Sequence, residues 1–345
     1  MKLLSMCAAA LTLSGFAVAS ETDYSSFDRD IEALVSGRLA DEGGPSISGY
    51  AQIRYMSSSD VTVGGNDLGG FAVPRARVIF KGERQGYGYK VQVDFASGTL
   101  LKDAYVDIPI NNISARAGLF RSAFSRSGSS SSATMFFIDR TEVGNLFLTR
   151  DAGVMFHGTF DQLSFFLSLM NGTDGAGDEL NTVIRVAFNF MGAGIGSTEG
   201  AYGGPDELSG TASISMYDDG EATDGSAILI EAHVANSQYS AGLELFDADD
   251  AGVSATPGFA AGTLASDDAT AMALYGTYML TPDQWELGLR FQDMDDADDT
   301  SIMELGVNRY LDGHNLKYSI GYRSISSDDA ALEVDMIQLQ LQVAF

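Results

Sequence analysis

The chain has 345 residues, a formal net charge of −27 from 47 acidic and 20 basic side chains, 39 glycines and 20 phenylalanines. This acidic balance excludes nucleic acid as a partner, because nucleic-acid binding needs a basic surface. The glycine and aromatic content favours many strands joined by tight turns over a helix bundle, and beyond the first 19 residues no run reaches the roughly 18 to 20 apolar residues of a membrane helix.

Residues 1–19 have the features of a secretory signal peptide. Lys2 gives a positive start, residues 3–18 are apolar or small, and residues 17–19 (Ala-Val-Ala) form a small-x-small cleavage site before acidic residues. We therefore predict export of the chain. The single cysteine, Cys7, lies inside this segment, so the mature protein is expected to have no disulfide to stabilise it.

Residues 20–46 are predicted to form a periplasmic N-terminal segment. Phe27, Ile31 and Leu34 recur at helical spacing and residues 43–45 read Gly-Gly-Pro, which indicates a short amphipathic helix that ends there. The segment is interpreted as a cap, a trimer contact or a frayed arm.

From residue 47 onward, apolar and polar side chains alternate. A period of two predicts strands with one apolar and one polar face. The last nine residues, Ile-Gln-Leu-Gln-Leu-Gln-Val-Ala-Phe, continue the alternation up to Phe345. The clearest segments are 47–55, 75–81, 89–95, 103–108, 113–119, 285–291, 316–322 and 337–345.

Alternation alone fits a soluble β-sandwich as well as a membrane barrel. Aromatic residues at the segment ends favour the barrel, in which they form girdles at the two membrane interfaces. The C-terminal aromatic residue also resembles the signal by which outer-membrane proteins reach the barrel-assembly machinery. The aromatic residues assigned to the girdles are Tyr55, Tyr87, Phe95, Phe120, Phe160, Phe190, Trp285, Tyr310, Tyr322 and Phe345.

The connections between segments alternate between short and long. This pattern predicts that residues 47–345 form a transmembrane antiparallel β-barrel of about 16 strands, with short periplasmic turns and long external loops. Residues 191–210 break the pattern, because they are long and glycine-rich at a periplasmic position. Short turns fall at 82–86, 109–112, 159–162, 236–238, 281–284 and 312–314, and long connections at 57–70, 121–149, 171–180, 218–226, 247–268, 292–300 and 324–335.

The long loop at 121–149 is the candidate constriction. It is serine-rich over 127–132 and apolar over 135–138 (Met-Phe-Phe-Ile). An apolar patch needs a surface that covers it, and folding inward against the barrel wall would provide one. The alternative is an outer loop that packs on its neighbours.

Seven stretches together resemble the phosphate-selective porin O and P family of outer-membrane channels. The resemblance runs from about residue 47 to the end and implies a trimeric channel of sixteen strands, with an inward-folded third loop and an anion path lined by arginines and lysines. The stretches are 75–82, 89–96, 101–106, 118–126, 137–140, 150–155 and 305–317.

The resemblance implies specific pore-lining residues. Wall positions are Arg75, Arg77, Lys81, Lys90 and Arg116, and all five also fall opposite the apolar face of their strands. Arg121, Arg126 and Arg140 lie on or beside the loop, while Asp94 and Asp103 face the lumen by the same alternation. Phosphate-selective members carry lysine at the constriction, but this loop has no lysine between Arg121 and Arg150, so a phosphate preference is not carried over.

Two interpretations of these charges stay open. A cationic constriction would attract anions, since charge is weakly screened in a narrow pore. Alternatively, Arg75, Arg77 and Lys81 pair with Asp94 and Asp103 across strands and leave a weakly selective pore. The sharp hypothesis places Arg75, Arg77, Arg116 and Arg121 at the constriction.

The sequence therefore predicts a porin in the bacterial outer membrane for passive diffusion of small hydrophilic solutes, either general or anion-preferring. The alternative is a structural or adhesive barrel with an occluded lumen. No catalytic motif, metal site or cofactor is expected. The three histidines belong to no nucleophile motif and are not spaced as a pair of metal ligands, and the acidic runs do not have the ligand spacing of a calcium-binding loop. Expected partners are small anions or other hydrophilic solutes, membrane lipid and lipopolysaccharide, the barrel-assembly machinery and, from the resemblance, two further copies in a homotrimer.

Overall fold

The computed structural model describes residues 45–345, apart from 64–65, 146–149, 173–179, 221–224, 250–267, 297 and 331. The predicted signal peptide and the predicted helix within 20–46 lie outside the described residues. The strands are β1 (Ser46–Val63), β2 (Asn66–Arg84), β3 (Tyr87–Asp94), β4 (Leu101–Ile110), β5 (Ile113–Arg121), β6 (Arg150–Phe160), β7 (Leu163–Met170), β8 (Asn181–Met191), β9 (Ser209–Asp218), β10 (Ser226–Ala235), β11 (Tyr239–Asp249), β12 (Asp268–Ala269), β13 (Met272–Thr281), β14 (Trp285–Asp293), β15 (Ser301–Asp312), β16 (Leu316–Ser326) and β17 (Val334–Ala344).

The strands form one closed antiparallel sheet. Each strand pairs with its neighbours in sequence, and β17 returns to pair with β1 from Tyr50↔Ala344 to Ser57↔Ile337. The short β12 and β13 both pair with β11 and make one interrupted strand, so the described barrel has 16 strands. The predicted all-β barrel is therefore confirmed. Closure leaves no sheet edge, as a membrane-spanning sheet requires.

The C-terminal residue completes the seam of the barrel. Gly49 and Phe345 exchange both backbone hydrogen bonds at 3.0 Å. The Phe345 ring lies over Gly49, where an added Cβ would be 2.5 Å from the ring. The C-terminal Phe345 therefore closes the sheet by pairing with Gly49, where the absence of a side chain leaves room for its ring.

The two faces of the barrel differ as the alternation predicts. On β17 the glutamines 338, 340 and 342 point inward and are buried, whereas Ile337, Leu339 and Val343 are exposed on the outside. The aromatic residues Phe95, Phe160 and Trp285 are also exposed at strand ends. The prediction that Phe120 and Tyr310 belong to the girdles is wrong, because both side chains are buried inside the barrel.

The barrel has a turn end and a loop end. The turn end carries both ends of the barrel chain, together with tight hairpins such as Gln85–Gly86, where both residues have left-handed backbone (φ 51° and 84°). The loop end carries the connection between β5 and β6. One predicted long connection, 57–70, is instead an extended hairpin, since β1 and β2 stay paired as far as Val63↔Asn66.

Two short helices interrupt the connection between β5 and β6. They are α1 (Arg126–Ser129) and α2 (Glu142–Asn145). Across the described part of the chain, no helix has both the length and the apolar character needed to cross a membrane.

Candidate pore and constriction

The connection between β5 and β6, described over residues 122–145 and here called the long loop, folds into the barrel. Its apolar residues Met135, Phe136, Phe137 and Ile138 are between 2 and 9 % exposed. The inward-folded third loop predicted from the sequence is therefore confirmed. Burial of each of these side chains stabilises the folded loop by roughly 1.5–3 kcal/mol.

A row of inward-facing glycines makes room for these side chains. Gly288, Gly306 and Gly321 lie side by side on β14, β15 and β16. A Cβ at Gly288 would be 2.3 Å from the Phe136 ring, and one at Gly306 would be 2.8 Å from it. The glycines therefore form a smooth surface on which the apolar segment of the loop is seated.

We expect Gly288→Leu to displace Phe136 and release the long loop. The leucine side chain needs the volume that the ring occupies, and overpacking of this kind costs about 1–3 kcal/mol. Limited trypsin digestion in detergent measures the release as faster cleavage after the buried Arg140. The matched control is Gly276→Leu, because Gly276 has its nearest neighbour at 3.6 Å. Equal digestion of both variants would contradict the seating of the loop.

Inward-facing polar residues hold the loop backbone. Lys317 donates to the carbonyl of Met135 at 2.6 Å, and Asn308 donates to that of Phe136 at 2.8 Å. Arg54 pairs with Asp139 at 3.0 Å. Burial opposes ionisation of Asp139, but the guanidiniums of Arg54, Arg75 and Arg323 hold its pKa well below the usual range. Asp139 is thus a charged anchor of the loop at neutral pH.

Toward the loop end, part of the barrel wall carries apolar side chains that face the lumen. Phe124 and Val143 of the long loop pack with Leu229, Ile302 and Met336 of the wall. The simple expectation of an apolar outside and a wet inside therefore does not hold there, because the loop fills the lumen and needs an apolar surface to pack on.

The irregular stretch between β8 and β9, residues 192–208 and here called the inner turn, enters the lumen from the turn end. Glu199 is 4 % exposed and accepts hydrogen bonds from the backbone N–H groups of Phe136 and Phe137 at 2.9 and 3.0 Å. Burial raises the pKa of Glu199, although Arg290 and these two N–H groups oppose the shift. The glycine-rich stretch 191–210, which is too long for the short turn predicted at this position, therefore contains a residue that contacts the long loop.

The long loop and the inner turn fill the lumen along β10–β17, here called the filled side. Along β1–β9, the open side, a cavity of about 760 Å³ remains. Its lining contains eight cationic side chains and one carboxylate: Arg77, Lys81, Lys90, Arg116, Arg121, Arg126, Arg150, Arg185 and Asp103.

Several of the lining cations form ion pairs with the wall. Arg77 pairs with Asp94 at 2.8 Å, and Arg116 pairs with Asp107 at 2.7 Å. Asp103 is shared by Lys90 and Arg150, both at 2.6 Å, and Arg185 pairs with Glu231. The pairing interpretation of the sequence thus describes part of the wall, yet four carboxylates face eight cations there.

Three lining cations have no carboxylate partner among the described residues. They are Lys81, Arg121 and Arg126. The Arg121 guanidinium donates to the carbonyl of Gly128, but its buried Nε has no hydrogen-bond partner within the described chain. Arg126 donates to the carbonyls of Gly196, at 2.7 Å, and Thr198. These side chains give the cavity its excess positive charge.

The structure places seven of the ten sequence-predicted site residues on the cavity lining: Arg77, Lys81, Lys90, Asp103, Arg116, Arg121 and Arg126. Arg75, Asp94 and Arg140 do not line it. Arg75 donates to Gln52 at 2.8 Å. Arg140 braces the long loop from within by donating to the carbonyls of Ser127 and Ser130, and burial lowers its pKa to about 10, so it stays protonated at pH 7.

Sequence reasoning missed Arg150 and Arg185. Arg185 alternates with the outward-facing Ile184 and Val186, so the parity rule applied to β8 would have found it. Arg150 begins β6 with the parity of the outward-facing Ala152 and Val154, so the alternation would have placed it outside, and its inward position follows from its contact with Asp103.

The histidines are held by packing and hydrogen bonds. His233 bonds to Ser240 at 2.7 Å, His157 stacks on Phe166, and the His314 ring meets the edges of Tyr202 and Tyr310. Within the described residues, no cluster of three or more His, Cys, Asp or Glu side chains could hold a metal ion.

Comparison with known proteins adds a family and a fold. The family described as phosphate-selective porin O and P matches residues 52–345. No curated protein sequence matches the chain. A loop-deletion mutant of OmpT, an outer membrane protein of Vibrio cholerae, is similar in structure, with a TM-score of 0.59 and 12% identity over 87% of this chain and 99% of that one. A mutant of the Rh. blastica porin has a TM-score of 0.57 and 16% identity over 87% and 100%. At these identities the two structures show the fold alone.

Proposed function

Because the chain belongs to the phosphate-selective porin O and P family and is an outer-membrane porin, we propose that small solutes diffuse along the open side of its lumen and that anions are preferred. The observation that carries the proposal is the cavity lining, in which eight cationic side chains accompany one carboxylate. No binding energy or chemical step is needed for passage, so the function is that of a channel rather than an enzyme.

The uneven distribution of charge supports the anion preference. On the filled side, the buried Arg290 pairs with Glu304 and the buried Arg323 with Glu142, both at 2.5 Å. The buried Lys317 and Arg140 donate instead to carbonyls of the long loop. On the open side, Lys81, Arg121 and Arg126 remain without a carboxylate partner in the described chain. A fixed positive potential in a narrow aqueous path favours anions and opposes cations.

The rival function is a structural or adhesive barrel with an occluded lumen. The long loop and the inner turn do occlude the filled side, and this favours the rival in part. Planar-bilayer recording separates the two functions. The proposed porin gives steady ohmic conductance in KCl, whereas absence of steady conductance from correctly folded protein would support the occluded barrel.

We also propose that the porin is a homotrimer that associates through the outer face of β4–β6. The middle of that face carries the small outward residues Ala104, Ala117 and Ala152 beside larger ones such as Leu119 and Val154. The outward residues of β14–β17 include large ones such as Leu289 and Leu339. Small side chains let two barrels approach closely. Ala117→Trp should lose the heat-labile oligomer band in mild detergent, and Leu289→Trp should keep it. Two variants with equal bands would contradict this contact face.

For export we propose that residues 1–19 are removed and that the barrel-assembly machinery inserts the chain, with lipopolysaccharide around its loop end. The small-x-small site before Ser20 and the alternating β17 that ends beside Phe345 support this route. Mass spectrometry of the purified protein should find Ser20 as the first residue, and an intact Met1 would contradict the proposal.

A further inference from the structure

We propose that the inner turn is a second wall of the pore, entering from the turn end, and that Glu199 is the positioning residue that joins this wall to the long loop. The inference rests on the proposed path along the open side. It assigns a role in setting pore width and selectivity to residues 192–208, which lie far in sequence from the long loop.

The first observation is that the inner turn is fixed inside the barrel. The Ala201 backbone N–H donates to Glu286 at 2.6 Å and to Thr277 at 3.0 Å, both inward-facing residues of the wall. The Tyr202 ring stacks on Tyr310 with centroids 4.1 Å apart. Ala201 is fully buried. A turn that merely connected two strands in water would need none of these contacts.

The second observation is that the inner turn reaches the filled side through close backbone approach. A Cβ at Gly200 would be 2.5 Å from a carboxylate oxygen of Glu286, and one at Gly204 would be 2.5 Å from the carbonyl oxygen of Asn236. The glycine-rich composition of this stretch therefore has a steric reason, since larger residues would hold the turn away from the wall.

The third observation is the bridge to the long loop. The Glu199 carboxylate accepts from both Phe136 and Phe137, and it lies 3.4 Å from Arg290. The Glu199 carbonyl accepts from Ser240 at 2.8 Å. One residue thus ties together the wall, the inner turn and the segment of the loop seated on the glycine row. Without its carboxylate, two buried N–H groups lose their partner, a loss that is costly for each of them.

The fourth observation is that the opposite edge of the inner turn borders the cavity. Ile195, Gly196 and Ser197 belong to the cavity lining, and Ser197 is exposed. The Arg126 guanidinium, itself part of the lining, is held by the carbonyls of Gly196 and Thr198. The inner turn therefore bounds the path and also orients one of the cations that has no carboxylate partner in the described chain.

Charge added at Ser197 tests whether the inner turn lines the path. In a Cys7→Ser background, Ser197→Cys provides the only thiol, and an anionic methanethiosulfonate reagent attaches a sulfonate there. One unit of negative charge about 4 Å from the ion path disfavours Cl⁻ roughly fivefold and favours K⁺ by the same factor, even at the permittivity of water. We therefore expect the Cl⁻ to K⁺ permeability ratio to fall by the product of the two factors, roughly 25-fold. Asp206→Cys, at an exposed site of the same turn that is not in the lining, should show no change. An unchanged ratio after confirmed labelling of Ser197→Cys would overturn the wall assignment.

Removal of the carboxylate tests the positioning role. We expect Glu199→Ala to raise the single-channel conductance and to add flickering between substates, because the loop and the turn lose their common anchor. Glu199→Asp, which keeps the charge on a shorter side chain, should restore part of the wild-type behaviour. Steady wild-type conductance from folded Glu199→Ala would overturn the role. If wild-type protein proves not to prefer anions, the proposed preference fails, while the conductance comparison still decides the role of Glu199.

Discussion

Arg121→Ala is expected to lower the Cl⁻ to K⁺ permeability ratio by roughly 25-fold. Arg121 lines the cavity at the entry of the long loop and has no carboxylate partner among the described residues. Its removal deletes one unit of charge next to the path. At about 4 Å such a charge stabilises Cl⁻ by about 1 kcal/mol in water and destabilises K⁺ by the same amount, and both effects are larger in a partly dry pore. Reversal potentials across a salt gradient in planar bilayers measure the ratio.

Two control variants separate charge from loop disruption. Arg121→Lys keeps the charge but has fewer donors for the carbonyl of Gly128, so it should retain most of the selectivity. Lys102→Ala removes a cation that bonds to Ser97 at 2.7 Å and does not line the cavity, so it should leave the ratio unchanged. A ratio in Arg121→Ala equal to that of wild type would show that this guanidinium does not act on the permeating ions.

Arg290→Ala is expected to destabilise the barrel by about 3–5 kcal/mol, as removal of one partner from a buried ion pair generally does. The Arg290 side chain is fully buried, pairs with Glu304 at 2.5 Å and donates to the carbonyls of Asp139 and Arg140 at 2.8 and 3.2 Å. Its loss leaves Glu304 and Glu199 without a main counter-charge. Trp285 is the single tryptophan of the chain, so its fluorescence follows unfolding in denaturant.

The matched control for Arg290→Ala is Arg116→Ala. Arg116 and Asp107 form a pair on the open side with side chains 20 and 28% exposed, and water can solvate the carboxylate that remains. Pairs of this kind contribute about 1 kcal/mol or less. Similar losses of stability in the two variants would contradict the division of the lumen into a filled, structural side and an open, wet side.

Much of the barrel could be predicted because its causes are local. The alternation along β17 follows directly from lipid on one face of the strand and the lumen on the other. Tight turns such as Gln85–Gly86 need a left-handed backbone, which the local sequence provides. The inward fold of the long loop was also predictable, since the apolar run at 135–138 needs cover. The extended β1–β2 hairpin was not, because the polar residues of 57–63 read as loop while their pairing depends on the partner strand.

The division of the lumen could not be predicted because it depends on contacts between distant residues. Glu199 meets Phe136 across 63 positions, and Lys317 meets Met135 across 182. The alternation identifies Gln342 and Lys317 as inward-facing, but it cannot say that they bind the loop backbone rather than water. For the same reason the inward-facing Arg75 was expected at the constriction, while the structure places it beside Gln52.

The reversal potential of the wild-type protein under a tenfold KCl gradient tests the central claim most directly, since it needs no variant and reports the sign of the charge along the path. An excess of cations on the open side predicts a potential displaced toward the Nernst potential of Cl⁻, carried by a steady conductance. A displacement toward the K⁺ potential, or folded protein in the bilayer without steady conductance, would contradict an anion-preferring path along β1–β9.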